Sequence, residues 1–153
     1  MLSDILKKEY IKLNVQCNNW EESIKSAGQI LIDNEIVTNE YVENTINGIK
    51  ELGPYVVIAK GIALPHATSS IGVKKAGMSL IRLKNAVEFG SSNDPVNYVF
   101  MLATTDIEEH INALTNLSEY LEKEEFLKTI EKANNSQSII DYIKYNENLI
   151  CKE

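Results

Sequence analysis

The amino-acid sequence predicts an α/β fold, a three-layer sandwich in which helices flank both faces of a single mixed sheet of four to five strands. Apolar stretches of strand length alternate with amphipathic helical stretches along the chain. One stretch, Tyr98–Ala103, is apolar without alternation, which is typical of a central strand covered on both faces. The 153 residues contain no repeat and no linker-like segment, so we expect one domain, 1–153.

The first third of the chain predicts a strand followed by two helices. Apolar and polar residues alternate over residues 11–17, which is the period of a half-buried strand. Asn19 and Glu22 have the spacing of a capping box at the start of a helix. A second helix is expected to begin near Thr38 and to end at LGP, residues 52–54, because proline cannot continue a helix.

Four further strands and three further helices are predicted for the rest of the chain. The strands are expected at Tyr55–Ala59, Ile62–Leu64, Met78–Leu83 and Tyr98–Ala103. Asp106 and Glu109 repeat the capping pattern and start a helix. Its inner face is expected to consist of aliphatic residues: Ile107, Ile111, Leu114, Leu117 and Leu121. The last two helices are expected around Glu124–Ala133 and Ser138–Asn148.

Charge and composition exclude several classes of function. The formal net charge of −7 provides no basic stripe that could displace counterions from a nucleic acid. No apolar run approaches the roughly 20 residues that span a bilayer, and the first residues lack the apolar core of a signal peptide. Cys17 and Cys151 form no CxxC pair, as expected of thiols in a reducing compartment. The sequence therefore predicts a cytoplasmic protein that neither spans a membrane nor binds nucleic acid.

One of the two histidines, His66, follows a proline at the end of a predicted strand, in the segment GIALPHA. Pro65 lacks an N–H group and cannot pair in the middle of a sheet, so it ends the strand and leaves His66 at the rim. Ligands and reacting groups lie at this rim in open α/β sheets. The spacing alone leaves two interpretations open: a reactive histidine, or a structural one whose ring nitrogens bind the backbone.

The second histidine, His110, lies in the first turn of the helix that Asp106 begins. That turn has unpaired N–H groups and the positive end of the helix dipole, which together favour an anion. Thr104 and Thr105 add hydroxyl donors just before it. His66 and His110 could therefore converge at one edge of the sheet, although a histidine in a first turn can also be merely exposed.

The sequence favours nucleophilic chemistry over metal binding at these histidines. A zinc site needs three or four protein ligands, and neither HxH nor HxxxH spacing is present. The sequence also contains no P-loop and no convincing Ser–His–Asp arrangement. A histidine that carries a phosphoryl group needs only a neutral ring nitrogen, donors for the phosphate oxygens and an open approach. We therefore expect neither a metal nor an organic cofactor.

The segment ELGPYVVIAKGIALPHA, residues 51–67, closely resembles the phosphohistidine signature of type 2 EIIA components of the phosphoenolpyruvate-dependent sugar phosphotransferase system (PTS). The segments NWEESIKSAGQILIDNEIVTNEYVENTI and DIEEHINALTNLSEYL resemble the paired N-terminal helices of that family and its helix with a second active-site histidine. The segment around residues 53–67 is most similar to the ascorbate-type branch. Thr68 and Ser69, however, stand where that branch commonly has Arg-Pro.

The resemblance implies a role for each candidate residue. His66 would be the phosphorylated nucleophile and His110 its supporting partner. Thr104 or Thr105 would help to stabilise the phosphate oxygens. Lys50 falls where the mannitol branch has an active-site arginine, and it would act there as a point charge rather than as a planar fork.

The resemblance also implies partners. The phosphocarrier protein HPr would donate the phosphoryl group, and an EIIB component would take it for transfer to a sugar that crosses the membrane through EIIC. Two other functions remain open. One is a regulatory EIIA-like domain that takes phosphate only as a signal to transcription or nitrogen control. The other is a non-catalytic interaction module whose histidines are structural.

Overall fold

The computed structural model describes residues 1–152, and the side chains of residues 1–150. Five strands and five α-helices are found over this range, together with short 3₁₀ turns at Leu2–Asp4 and Lys8–Tyr10. In chain order the elements are β1 (Ile11–Val15), α1 (Trp20–Asp33), α2 (Asn39–Leu52), β2 (Val57–Ala59), β3 (Ile62–Ala63), β4 (Gly77–Val87), β5 (Val96–Ala103), α3 (Ile107–Leu121), α4 (Glu124–Lys132) and α5 (Ser136–Lys152).

The five strands form one open mixed sheet in the order β1-β4-β5-β3-β2. The pairs β1–β4 and β5–β3 are parallel, whereas β4–β5 and β3–β2 are antiparallel. β5 is the central strand, and its last five residues are buried. This confirms the prediction of a mixed sheet of four to five strands with an apolar centre. Because β3 and β5 are parallel, their carboxyl ends meet at the same edge of the sheet.

Helices pack on both faces of this sheet, as the sequence predicted. The Ser79 hydroxyl of β4 donates to the Ala27 carbonyl of α1 (2.8 Å), so α1 covers one face. Neighbouring residues of a strand point to opposite faces, so Leu80 and its pairing partner Phe100 face the other way. There the Phe100 ring stacks on Phe126 of α4, with the ring centroids 6.3 Å apart. The three layers of the sandwich are therefore confirmed.

The predicted helix caps are present in both capped helices. The Asn19 side chain accepts the N–H of Glu22 (2.9 Å), and the Asp106 side chain accepts the N–H of Glu109 (2.8 Å). These bonds satisfy N–H groups that have no partner within the helix. α2 ends at Gly53, whose φ of +88° is one that side chains disfavour and glycine tolerates. The chain then turns directly into the segment that leads to His66.

One prediction about the core was wrong. Ile107 and Ile111 of α3 were expected on the inner face, but 71% and 54% of their surfaces are exposed. Leu117 is buried as predicted, but α3 also buries Ala113 and Tyr120, and it packs against α4 and the 3₁₀ turn at Leu2–Asp4.

The two cysteines and the membrane prediction complete the comparison with the sequence. Cys17 is buried just after β1 rather than within it, and the Cys151 side chain lies outside the described residues. Among residues 1–152, none of the helices combines the length and the apolar character that a membrane span requires.

Candidate functional site

The two histidines meet at the edge where β3 and β5 end. β3 ends at Ala63, and Leu64 and Pro65 carry the chain to His66. β5 ends at Ala103, and α3 begins four residues later with His110 in its first turn. The two imidazole rings lie beside each other, with their centroids 5.1 Å apart and their planes at 55°. The predicted convergence of His66 and His110 is therefore present in the structure.

The protonation of the His66 ring follows from its one backbone contact. Nδ1 of His66 lies 2.8 Å from the carbonyl oxygen of Leu64, and a carbonyl can only accept a hydrogen bond. Nδ1 therefore carries the proton, and the lone pair of the neutral ring resides on Nε2. Burial lowers the pKa of His66 from its ordinary value, the hydrogen bond to Leu64 opposes this, and the nearby His110 adds to the lowering. The neutral, nucleophilic form is thus favoured near pH 7.

A cavity of about 410 Å³ opens beside the two rings. It is lined by residues 66–70 from the segment after β3, residues 104–107 from the start of α3, and Tyr41 and His110. Five of these residues carry aliphatic hydroxyl groups: Thr68, Ser69, Ser70, Thr104 and Thr105. The lining, which belongs entirely to the described part of the chain, includes no lysine and no arginine. The cavity therefore offers an anion neutral donors and a helix N-terminus rather than a resident cation, and the Asp106 carboxylate also lines it.

Thr104 and Thr105 both line the cavity, but Thr105 already has a partner. Its hydroxyl donates to a carboxylate oxygen of Glu109 (2.7 Å), and its backbone N–H donates to the same oxygen (2.7 Å). A hydroxyl group has one proton to donate, so Thr105 must leave Glu109 before it can donate to another anion. Thr104 is therefore the better placed donor of the two.

Lys50 is not among the residues that line this cavity. Its ammonium group lies 3.4 Å from a carboxylate oxygen of Glu21 on α1, and 54% of its side chain is exposed. The predicted contact between Lys50 and a phosphate group stays a prediction, since it would require this exposed ion pair to open.

Sequence reasoning missed two tyrosines that contact the His66 segment. The Tyr41 hydroxyl accepts the backbone N–H of Ala67 (3.1 Å), and the Tyr55 hydroxyl donates to the carbonyl of His66 (2.8 Å). No sequence signal marks Tyr41, because it fits the apolar face of α2 and is far from His66 along the chain. The hydroxyl run at residues 68–70 was a usable signal, because it directly follows the histidine.

No group of three or more residues suited to hold a metal ion occurs among the residues that the structure describes. The site does contain a neutral imidazole beside an accessible cavity, a second imidazole and hydroxyl donors. This arrangement can carry a group on a ring nitrogen, and an anionic group would suit the helix N-terminus. The fold and the site together suit one class of protein, that of histidine-based group carriers.

Comparisons with known proteins agree with this class. The family model for the phosphoenolpyruvate-dependent sugar phosphotransferase system, EIIA 2, matches residues 4–146. The ascorbate-specific PTS EIIA component of Escherichia coli K12 is 32% identical over 144 residues, which cover 91% of this chain and 92% of that protein. The mannitol-specific cryptic phosphotransferase enzyme IIA component of the same strain is 31% identical over 142 residues, covering 93% and 97%.

A solved structure adds a functional context. The complex of the mannitol enzyme IIA with phosphorylated enzyme IIB from Escherichia coli superposes with a TM-score of 0.78 at 25% identity, covering 90% of this chain and 96% of that chain. The chain belongs to the EIIA type 2 family of the sugar phosphotransferase system. Its general role is accordingly that of a PTS phosphocarrier component.

Proposed function

We propose that this chain is a cytoplasmic EIIA component that accepts a phosphoryl group from phospho-HPr on Nε2 of His66 and passes it to an EIIB component. The observation that carries the proposal is the hydrogen bond from Nδ1 of His66 to the Leu64 carbonyl (2.8 Å). It leaves Nε2 as the one ring nitrogen with an available lone pair. The signature segment of residues 51–67 and the family membership support the same residue.

The transfer step is balanced without a cofactor. The Nε2 lone pair of His66 attacks phosphorus in line, and the N–P bond of the donor histidine breaks with its electron pair returning to the donor nitrogen. The proton on Nδ1 of His66 stays hydrogen-bonded to the Leu64 carbonyl throughout. Donor and acceptor are both imidazole nitrogens, so the barrier depends mainly on positioning and on stabilisation of the phosphate oxygens.

The phosphate oxygens would meet donors on the α3 side of the cavity. His110, whose ring centroid is 5.1 Å from that of His66, and the N–H groups in the first turn of α3 that Asp106 does not cap are the main donors in this proposal. Thr104 assists them, and Thr105 and Lys50 contribute only if they leave Glu109 and Glu21. Because the cavity lining includes no lysine or arginine, the bound phosphoryl group is not held by a permanent cation. This suits a carrier, which must release the group again.

The proposed acceptor is an EIIB component, because the mannitol EIIA relative in the solved complex is bound to its phosphorylated EIIB. The sugar is proposed to be of the ascorbate type, taken up through a membrane EIIC, because the ascorbate-specific EIIA component is among the similar relatives. The mannitol-specific relative is nearly as similar, so the sugar must be tested with both acceptors.

The test is a reconstituted relay from phosphoenolpyruvate through enzyme I and HPr to this protein, followed by a chase with ascorbate-type or mannitol-type EIIB. We expect a phosphoryl adduct that the ascorbate-type EIIB removes faster. His110→Ala should still accept the group, but about 10²–10³-fold more slowly, as expected when one such donor is lost. An adduct that neither EIIB removes would contradict the transport role and favour a regulatory phosphoacceptor.

A further inference from the structure

The peptide group that joins His66 to Ala67 is held at both of its polar ends by tyrosine hydroxyls. Its carbonyl oxygen accepts from the Tyr55 hydroxyl (2.8 Å), and its N–H donates to the Tyr41 hydroxyl (3.1 Å). Tyr41 lies on α2, and Tyr55 lies in the segment between α2 and β2. A planar peptide group fixed at its C=O and its N–H cannot rotate without breaking one of these bonds.

Tyr41 also ties this peptide to the central strand. Its hydroxyl donates to the Leu102 carbonyl of β5 (2.7 Å), and only 2% of the residue is exposed. The Leu102 N–H in turn donates to the Pro65 carbonyl (2.9 Å). The His66 segment is thus anchored to the strand that leads into α3 and His110. The relative position of the two histidines depends on this anchor.

The side chain of His66 is also constrained, by the Tyr55 ring and by its own backbone. The Tyr55 ring meets the His66 ring edge-on, with centroids 5.7 Å apart and planes at 85°. The bond from Nδ1 to the Leu64 carbonyl, two residues back, forms only while the backbone of residues 64–66 keeps its present turn. Rotation of the peptide after His66 would alter that turn and weaken this bond.

We propose that Tyr41 and Tyr55 are positioning residues that fix the His66 peptide, so that Nδ1 keeps its proton and Nε2 alone takes the phosphoryl group. The part that concerns the phosphoryl group rests on the function proposed above. Neither hydroxyl donates to the reacting atoms, since both are already bonded to the backbone. The two hydroxyls instead determine which ring nitrogen of His66 has a free lone pair and where that nitrogen lies.

If Tyr41 and Tyr55 had a merely structural role, their loss would affect stability without changing the tautomer of the His66 ring. Tyr120 provides the matched control. Tyr120 is also buried, and its hydroxyl donates to the Ile143 carbonyl of α5 (3.2 Å). It lies ten residues after His110 on α3, or about 15 Å along the helix axis. Tyr120→Phe therefore removes a buried tyrosine hydroxyl without touching the His66 peptide.

The experiment compares the wild type with Tyr41→Phe, Tyr55→Phe and Tyr120→Phe by ¹⁵N NMR of the histidine side chains, in the absence of any donor. We expect one His66 tautomer, protonated on Nδ1, in the wild type and in Tyr120→Phe. In Tyr41→Phe and Tyr55→Phe the two ring nitrogens should become more alike, because both tautomers are populated. If Tyr41→Phe does not fold, Tyr55→Phe decides, since it removes a single hydrogen bond at a partly exposed residue.

The second readout is phosphoryl transfer from phospho-HPr. We expect the rate to fall roughly 10- to 100-fold in Tyr41→Phe and Tyr55→Phe, the scale of a misplaced reacting group, and part of the phosphate to appear on Nδ1. Nitrogen shifts and rates equal to those of Tyr120→Phe would overturn the proposal. A wild type that accepts no phosphoryl group would contradict the proposed function instead, and the nitrogen shifts would still decide the positioning role.

Discussion

The two exposed isoleucines at the start of α3 lead to a quantitative prediction about docking. Ile107 lines the cavity beside His66, and Ile111 lies one turn further along the same helix. Exposed apolar side chains around a reactive group are typical of a surface that a protein partner covers. We predict that Ile107→Ser weakens productive docking of phospho-HPr without harming the fold.

The magnitude follows from the exposure of Ile107. Complete burial of an isoleucine side chain contributes about 1.5–3 kcal/mol. Since 71% of Ile107 is exposed, a partner that covers the exposed part gains about 1–2 kcal/mol. That free energy corresponds to roughly a 5- to 30-fold change in affinity. Ile111, at 54% exposure, should give a smaller effect.

The assay is steady-state phosphoryl transfer with varied phospho-HPr. Loss of binding that is equal in the ground and transition states raises KM and leaves kcat unchanged, so we expect KM to rise 5- to 30-fold in Ile107→Ser. Ile150→Ser is the control, because Ile150 is also exposed on a helix (57%) but does not line the cavity. A KM for Ile107→Ser equal to that of Ile150→Ser would refute the assignment of this surface.

Two further predictions concern stability. Arg82 donates from one guanidinium nitrogen to the carbonyls of Ile130 and Ala133 at the end of α4 (2.8 and 2.7 Å). Arg82→Met removes these charged hydrogen bonds, so the free energy of unfolding, measured in urea, should fall by about 1.5–3 kcal/mol. Phosphoryl acceptance should be retained. Because burial lowers the pKa of His66, the unfolded chain binds more protons than the folded one as the pH falls below about 6.5, so His66 reduces stability in that range. The loss of stability between pH 7.5 and 5.5 should therefore be smaller in His66→Gln; an equal loss would show that the pKa of His66 is the same in the folded and the unfolded chain.

The sequence predicted the parts of the site that depend on local chemistry. Pro65 had to end its strand, and the capping pattern of Asp106 and Glu109 had to begin a helix, so the elements that carry His66 and His110 were predictable. Parallel strands that end at one edge then bring the two histidines together. The resemblance of residues 51–67 to a family signature is what singled out His66 as the proposed phosphoryl carrier.

Other features of the site depend on the three-dimensional arrangement and were not predictable. The helical period of α3 predicted burial for Ile107 and Ile111, because hydrophobic periodicity does not distinguish a core face from an exposed apolar face. The Tyr41 contact with Ala67 joins residues 26 positions apart and exists only because α2 packs beside the end of β5. Lys50 could equally have faced the cavity, and its pairing with Glu21 depends on how α1 lies against α2.

The most direct measurement of the central claim is the intact mass of the protein after incubation with phosphoenolpyruvate, enzyme I and HPr. Wild type, His66→Ala and His110→Ala are compared before and after brief acid treatment. We predict one acid-labile phosphoryl adduct on the wild type, the same adduct at a lower rate on His110→Ala, and none on His66→Ala. An acid-labile adduct on His66→Ala, or no adduct on the wild type with active upstream proteins, would contradict His66 as the phosphoryl carrier.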